Sequence, residues 1–268
     1  MNMSHEVIFG DSREVLDQIE EESVSLMVTS PPYFVGKEYE SYLEDERAYW
    51  YMLGDVFHSM ERIIEPYGKV VINFPDRYAN AKLLGYPVEV LYAHWFNEML
   101  NTFDLWARII WDKNRVFING ATHLAAPSNK TGQMRVAPNW EYIFVWRKHS
   151  QPQAVPKKAI EMTREERIAW TDSIWTIDSV TVNEKEKGFK LAKFPEEIPY
   201  RFIKMYTEPG DLVLDPFAGS ATVTKVANDL GRSSICVELN PVMKDYIKNY
   251  LDGVDVEYVH DPSERLEK

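Results

Sequence analysis

The apolar run from Val24 to Thr29 stops abruptly at Ser30-Pro31-Pro32-Tyr33. Such a run fits the centre of a parallel sheet, whose strands are buried on both faces, and two consecutive prolines then deny the chain both strand and helix. Pro31 also keeps Ser30 out of helical angles. The turn therefore opens outward and presents a hydroxyl, fixed carbonyls and the Tyr33 ring at the carboxyl edge of a sheet, where open α/β folds bind their ligands. A Pro-Pro loop that merely ends a strand is the competing reading, and the rest of the chain has to decide.

The chain has 268 residues and is 45% hydrophobic, enough for one enlarged α/β domain or a domain with a small insertion. No secretory leader and no membrane-length apolar run is present, so a cytoplasmic, nucleoid-associated protein is expected. The single cysteine, Cys236, excludes an internal disulfide and a multi-cysteine metal site, and no metal is expected. The net charge of −12 argues against a polyanionic partner, but its distribution reverses that impression. Residues 108–158 carry nine basic side chains against Asp112 and Glu141. A basic face on an acidic body can meet phosphates while the body stays solvated. Lys113, Arg115, Lys130, Arg135 and Lys148 are the candidate DNA contacts within it.

Apolar spacing predicts a strand over 5–9, a helix over 13–19, the strand ending at Thr29, a helix from about 45 to 64 and a strand over 69–74. A helix over 88–100 and a strand over 105–111 repeat the unit. Residues 114–138 form a polar stretch too long for a mere connection, the kind that is usually functional. A strand over 139–146 follows, then an irregular region with one helix over 163–170. The last quarter alternates cleanly: a helix to about 206, a strand over 212–214, a loop over 215–221, a helix over 222–230, a strand over 234–238 and a final helix to 251.

The loop Asp215-Pro216-Phe217-Ala218-Gly219-Ser220-Ala221 holds a second constellation. Small residues between a strand and a helix let a ligand approach the backbone closely. Gly-x-Gly-x-x-Gly is missing, and a carboxylate directly before the turn would repel a phosphate. An acidic lip suits a cationic, phosphate-free ligand with an ammonium group, such as S-adenosylmethionine. Glu238, at the tip of the next strand, can accept both hydroxyls of a ribose. A plain structural turn is the alternative.

The two constellations together resemble the motifs of S-adenosylmethionine-dependent DNA amino-methyltransferases. Residues 215–222 look like the cofactor motif and Thr29-Ser30-Pro31-Pro32-Tyr33 like the catalytic tetrad. The catalytic motif comes first, which resembles the circularly permuted β class, with target recognition between the motifs. Gly10-Asp11-Ser12 matches that class's amino-terminal cofactor element, and Lys193-Phe194-Pro195-Glu196-Glu197 its helix start over the methionine moiety. The resemblance implies a Rossmann-like α/β fold, a mostly parallel sheet with helices on both faces and an inserted basic recognition region. It implies a catalytic half over 1–111, a recognition region over 112–190 interrupted by a core strand near 139–146, and a cofactor half over 191–268. Asp11 would contact the adenine amino group, Glu238 the ribose, and Asp215, Phe217, Gly219 and Phe194 the methionine end, with Pro195, Ala218 and Ser220 completing the cofactor site. The family usually has Gly-Ser-Gly in the loop; here the second glycine is Ala221, for which ordinary backbone angles are expected.

The chemistry follows from the nucleophile. An exocyclic amino nitrogen is a poor nucleophile because its lone pair is delocalised into the ring, and acceptors for its two protons draw it toward tetrahedral geometry. Ser30 Oγ and the Pro31 carbonyl are such acceptors, Pro31-Pro32 fixes their direction, and Tyr33 can stack on a base that has left the duplex. Methylation at cytosine carbon-5 needs a nucleophilic cysteine instead, and Cys236 is a strand residue away from the tetrad. By the resemblance, Ser at the first tetrad position goes mostly with cytosine-N4 enzymes, adenine-N6 being the alternative. The product would be S-adenosylhomocysteine, the partner double-stranded DNA with a flipped base; a cognate restriction endonuclease and a homodimer belong to the same expectation. An RNA or protein methyltransferase and a non-catalytic DNA-binding module are the competing classes.

Overall fold

In the computed structural model, residues 3–34, 45–75, 95–114, 139–149, 161–180 and 195–260 are described. The apolar runs become the strands β1 (His5–Phe9), β2 (Val24–Thr29), β3 (Ile64–Pro75), β4 (Phe103–Asp112), β5 (Trp140–Lys148), β6 (Ile174–Thr176), β7 (Leu212–Asp215), β8 (Ser233–Glu238) and β9 (Glu257–Val259). They form one sheet in the order β6-β4-β5-β3-β2-β7-β8-β1-β9. Strand β5 runs antiparallel to β3 and β4, and every other pairing is parallel.

Helices α1 (Ser12–Leu16), α2 (Glu46–Ile63), α3 (Arg164–Trp170), α4 (Glu197–Tyr206), α5 (Thr222–Asp229) and α6 (Lys244–Tyr250) cover both faces. Alternation along the strands sorts the side chains. Ile8, Met27, Ile72, Phe74, Phe144 and Leu214 point to one layer, where Val15, Leu16, Leu53, Val56 and Phe57 of α1 and α2 meet them. Val7, Leu26, Val28, Val71, Ile143 and Val213 point to the other, against Ile198, Phe202, Val223 and Ile247 of α4, α5 and α6. This is the Rossmann-like, doubly wound arrangement expected. No described helix is long and apolar enough to cross a membrane.

Three details depart from the sequence reading. Helix α2 ends at Ile63 and the chain turns extended at once, so β3 starts before the expected residue 69, with a register shift against β2 between Val24 and Leu26. Tyr67 has φ +67° there, and a Cβ on Gly68 would stand 2.6 Å from Ile64 Cγ2 and 2.9 Å from the Glu65 carbonyl oxygen, so the irregularity needs this glycine. The short strands β6 and β9 were not expected; three residues carry too little periodicity to be read. Of the helix expected over 88–100, residues 95–99 are helical and 88–94 lie outside the described residues.

Candidate active site

The sheet order sets the site. β2, β7, β8 and β1 are neighbours and parallel, so their carboxyl ends bring Ser30, Asp215, Glu238 and Asp11 to one edge in that sequence. From β2 to β1 is three strand spacings, about 14 Å, room for an extended nucleoside with an amino-acid tail. Asp215, distant from the tetrad in sequence, becomes its direct neighbour.

At the β2 end, Ser30 Oγ and Tyr33 Oη are 2.7 Å apart. Tyr33 packs edge-on against Phe74 at 5.4 Å, and Pro31 is buried beneath the turn. Tyr49, from α2, donates its hydroxyl to the Pro32 carbonyl at 2.8 Å and so holds the proline pair in place. Two residues that the sequence reading did not single out complete this end. The Tyr33 hydroxyl lies 3.1 Å from Asn73 Oδ1 and 3.3 Å from Glu141 Oε2. Burial, with the Glu141 charge next in effect, holds the Tyr33 phenol well above its ordinary pKa. The signal available was a polar residue inside an otherwise apolar strand: Asn73 in 70–74 and Glu141 at the head of 142–146.

At the β7 end, Asp215 is fully buried; its Oδ1 accepts from Thr29 Oγ1 at 2.7 Å and from the Phe217 amide at 3.1 Å. Burial raises its carboxyl to about 7. Asp215 Oδ2 has no hydrogen-bond partner among the described residues. A buried carboxylate oxygen without a partner is costly, and a ligand ammonium would satisfy it. Glu238 Oε2 accepts from the Gly219 amide at 2.8 Å and Oε1 from the Asn240 amide at 2.9 Å, while burial raises its carboxyl to about 7 as well. Ala218 binds the Val237 carbonyl through its amide at 2.9 Å, and Ser220 Oγ sits 2.9 Å from Thr222 Oγ1, so the loop is tied to β8 and to α5.

Ala221 corrects an expectation. Its φ of +59° and ψ of 36° are left-handed, not ordinary. The position keeps the conformation a glycine would take, and the fully buried Ala221 methyl, packed in the core beside α5, partly offsets the strain.

Asp11 caps α1 and accepts from the Arg13 backbone amide at 2.9 Å and from its guanidinium at 3.0 and 2.6 Å, which holds the carboxyl below its usual range. Ser12 Oγ donates to the Pro216 carbonyl and ties this turn to the cofactor loop. Pro195 precedes α4, whose first residues are anchored where Glu196 Oε1 accepts from Lys225 and from Tyr250 Oη, each at 2.7 Å. Cys236 is fully buried, accepts from Thr224 Oγ1 at 2.9 Å, and burial pushes its thiol up, so it has the character of a core residue and not of a nucleophile.

The basic candidates separate. Arg115, Lys130 and Arg135 lie outside the described residues, as does Phe194 of the expected cofactor site. Lys113 stands beside the tetrad, paired with Glu141 and 4.9 Å above the Trp111 ring. Lys148 does not join it. That side chain donates to the Ile64 carbonyl at 2.6 Å and faces Glu22, at the amino end of β3 and the opposite edge of the sheet, because β5 runs antiparallel. Residues 164–176, inside the expected recognition region, pack with the core: β6 pairs with β4, and the Trp175 ring lies tilted against that of Phe202 with centroids 5.0 Å apart.

A family model described as DNA methylase matches residues 24–249. The type II methyltransferase M.MjaI of Methanocaldococcus jannaschii is 31% identical over 91% of this chain and 90% of its own length. M.MthZI of Methanothermobacter thermautotrophicus is 30% identical over 94% of this chain and 78% of its own. Among solved structures, TTHA0409 of Thermus thermophilus in complex with S-adenosyl-L-methionine superposes with a TM-score of 0.70 at 28% identity, covering 96% of this chain and 98% of that one. The chain belongs to the N6/N4 DNA methylase family, and is a DNA amino-methyltransferase of the β class. The unpartnered Asp215 oxygen, Glu238 and the small-residue loop fit S-adenosylmethionine, the molecule in the T. thermophilus complex.

Proposed function

We propose that the protein methylates the exocyclic N4 of a cytosine flipped out of double-stranded DNA. The observation that carries the reading is the Ser30 hydroxyl at the tip of β2, held at 2.7 Å by Tyr33, beside a proline carbonyl whose direction the backbone fixes. Asp215 receives the ammonium end of the cofactor, Glu238 the ribose, and Asp11 the adenine edge. S-adenosylmethionine supplies an electrophilic methyl group there. Ser30 Oγ and the Pro31 carbonyl accept the two protons of the target amino group, which frees the nitrogen lone pair from the ring. No strong base is needed, because the nitrogen proton becomes acidic once the methyl group is in place. Tyr33 presents its ring to the extruded base.

The charge pattern supports duplex DNA as substrate. Residues 114 and 139, which bound the basic stretch, both stand at the tetrad's edge of the sheet, where the Lys113 amide donates to the Asn139 carbonyl at 3.0 Å. Arg115, Lys130 and Arg135 are then candidate phosphate and base-edge contacts by their charge, and Lys113 is the candidate that stands beside the tetrad. A nucleoid location, self-association and a cognate restriction endonuclease belong to the same reading. Nucleoside mass spectrometry on DNA from cells expressing the protein tests it: N4-methylcytosine is the expected product. N6-methyladenine would overturn the choice of base, and unmodified DNA the proposed activity.

A further inference from the structure

Tyr33 Oη is the hub of a side-chain network whose hydrogens can be assigned from chemistry alone. Asn73 Nδ2 donates to the Tyr142 backbone carbonyl at 3.0 Å, and a carbonyl can only accept, so Asn73 turns its acceptor Oδ1 toward Tyr33. Glu141, paired with Lys113 through its other oxygen, is likewise only an acceptor toward Tyr33. The phenol has one proton, and with two acceptors on that side the proton points to them. In the 2.7 Å contact with Ser30, where either oxygen could donate, Ser30 must therefore be the donor. Its proton is committed inward and its lone pairs face out.

We propose that Glu141, charge-paired with Lys113, is a positioning residue that acts through Tyr33 to fix Ser30 Oγ as a hydrogen-bond acceptor toward the target amino group. The inference rests on the tetrad being an amino-group clamp, as argued above. Both candidate bases carry a ring-nitrogen acceptor beside the amino group, and a Ser30 hydroxyl of the opposite polarity would donate to that ring nitrogen and leave an amino proton unheld. Glu141 shares this task with Asn73 Oδ1, supplies the charged and therefore stronger acceptor of the two, and does so without touching the base.

The test is a double-mutant cycle on the full chain with duplex DNA and S-adenosylmethionine, read as single-turnover methyl transfer. Glu141→Gln keeps the shape but offers Tyr33 an N–H donor, and the rate is expected to fall about ten- to a hundredfold. Affinity for the cofactor should stay within about twofold of the parent, because Glu141 stands apart from the loop over 215–221, and the rate is read at saturating DNA, since the change also unpairs Lys113. In a Tyr33→Phe background the same change should cost no further rate, since the path to Ser30 is already cut. Additive losses, or a full rate in Glu141→Gln, overturn the proposal. If Glu141→Gln loses its cooperative thermal transition, Tyr33→Phe alone decides: a loss of about tenfold with cofactor binding intact supports it, and a full rate overturns it. If the parent methylates an amino group in DNA and the variants match it, this inference alone fails; if the parent methylates none, the clamp reading fails and this inference with it.

Discussion

Thr29 Oγ1 donates to Asp215 Oδ1 at 2.7 Å, between two side chains that are both fully buried. The bond joins the last residue of β2 to the last residue of β7, so the tetrad and the cofactor loop start from one rigid point. Whatever moves one carboxyl end moves the other.

Thr29→Val removes that donor at constant shape. Asp215 then loses one of its two hydrogen bonds inside the fold, at a cost of about 1–3 kcal/mol near neutral pH. The penalty should shrink at pH 5, where a neutral carboxyl needs less support. Urea unfolding at both values measures it, and equal losses would show that the bond carries no charge dependence.

The ligand-free protein should lose stability as the pH rises toward neutrality. Asp215 is raised from 3.8 to about 7 and Glu238 from 4.5 to about 7, both by burial. In that window the folded chain holds protons that the unfolded chain has released, so stability is full below about pH 4, falls through about pH 7 and is flat above. Asp215→Asn keeps an acceptor for Thr29 and should flatten the slope, with a difference on the order of 4 kcal/mol at most across the window. Chemical denaturation from pH 4 to 8 reads it directly; an unchanged slope would mean that Asp215 titrates normally.

Ala221 offers a separate check on the cofactor loop. Left-handed angles cost a non-glycine residue about 1–2 kcal/mol, while a buried methyl contributes about 0.8 kcal/mol and glycine adds unfolded-state freedom. These nearly cancel, so Ala221→Gly should leave stability within about 1 kcal/mol despite the residue's complete burial. Ala221→Val should be destabilising by about 2 kcal/mol or more, since a β-branched residue tolerates this conformation poorly. Denaturation midpoints of the pair give the comparison.

Tyr49→Phe releases the Pro32 carbonyl without disturbing the Phe34 ring 5.4 Å away. Methyl transfer should slow several-fold while cofactor affinity holds, because the lost bond, worth about 1 kcal/mol, orients the tetrad and not the cofactor loop. Parallel titration of cofactor binding separates the two.

Much of this arrangement is legible in the amino-acid sequence. Apolar runs broken by Pro31-Pro32 and by the Asp215 turn mark two strand tips, because proline and small residues act locally. What is hidden depends on which strands become neighbours. Asn73 and Glu141 look like stray polar residues in apolar strands until the antiparallel β3–β5 pairing sets them beside Tyr33. The same pairing carries Lys148 to the far edge, where no local signal could place it. Ala221 is opaque for another reason: a penalty of about 1–2 kcal/mol lies within what a single buried contact can offset, so residue type alone does not decide the angle.

Strand β5 also bears on how much variation in chain length the sheet tolerates. Being antiparallel, it begins at the edge where β4 ends, so Lys113 and Asn139, which flank the intervening span, stand side by side. The closure entropy of such a span grows only with the logarithm of its length, and doubling it costs about 0.6 kcal/mol. The number of residues between the two strands can therefore change at little cost while both strands keep their register, which leaves the sheet indifferent to what the chain carries between them.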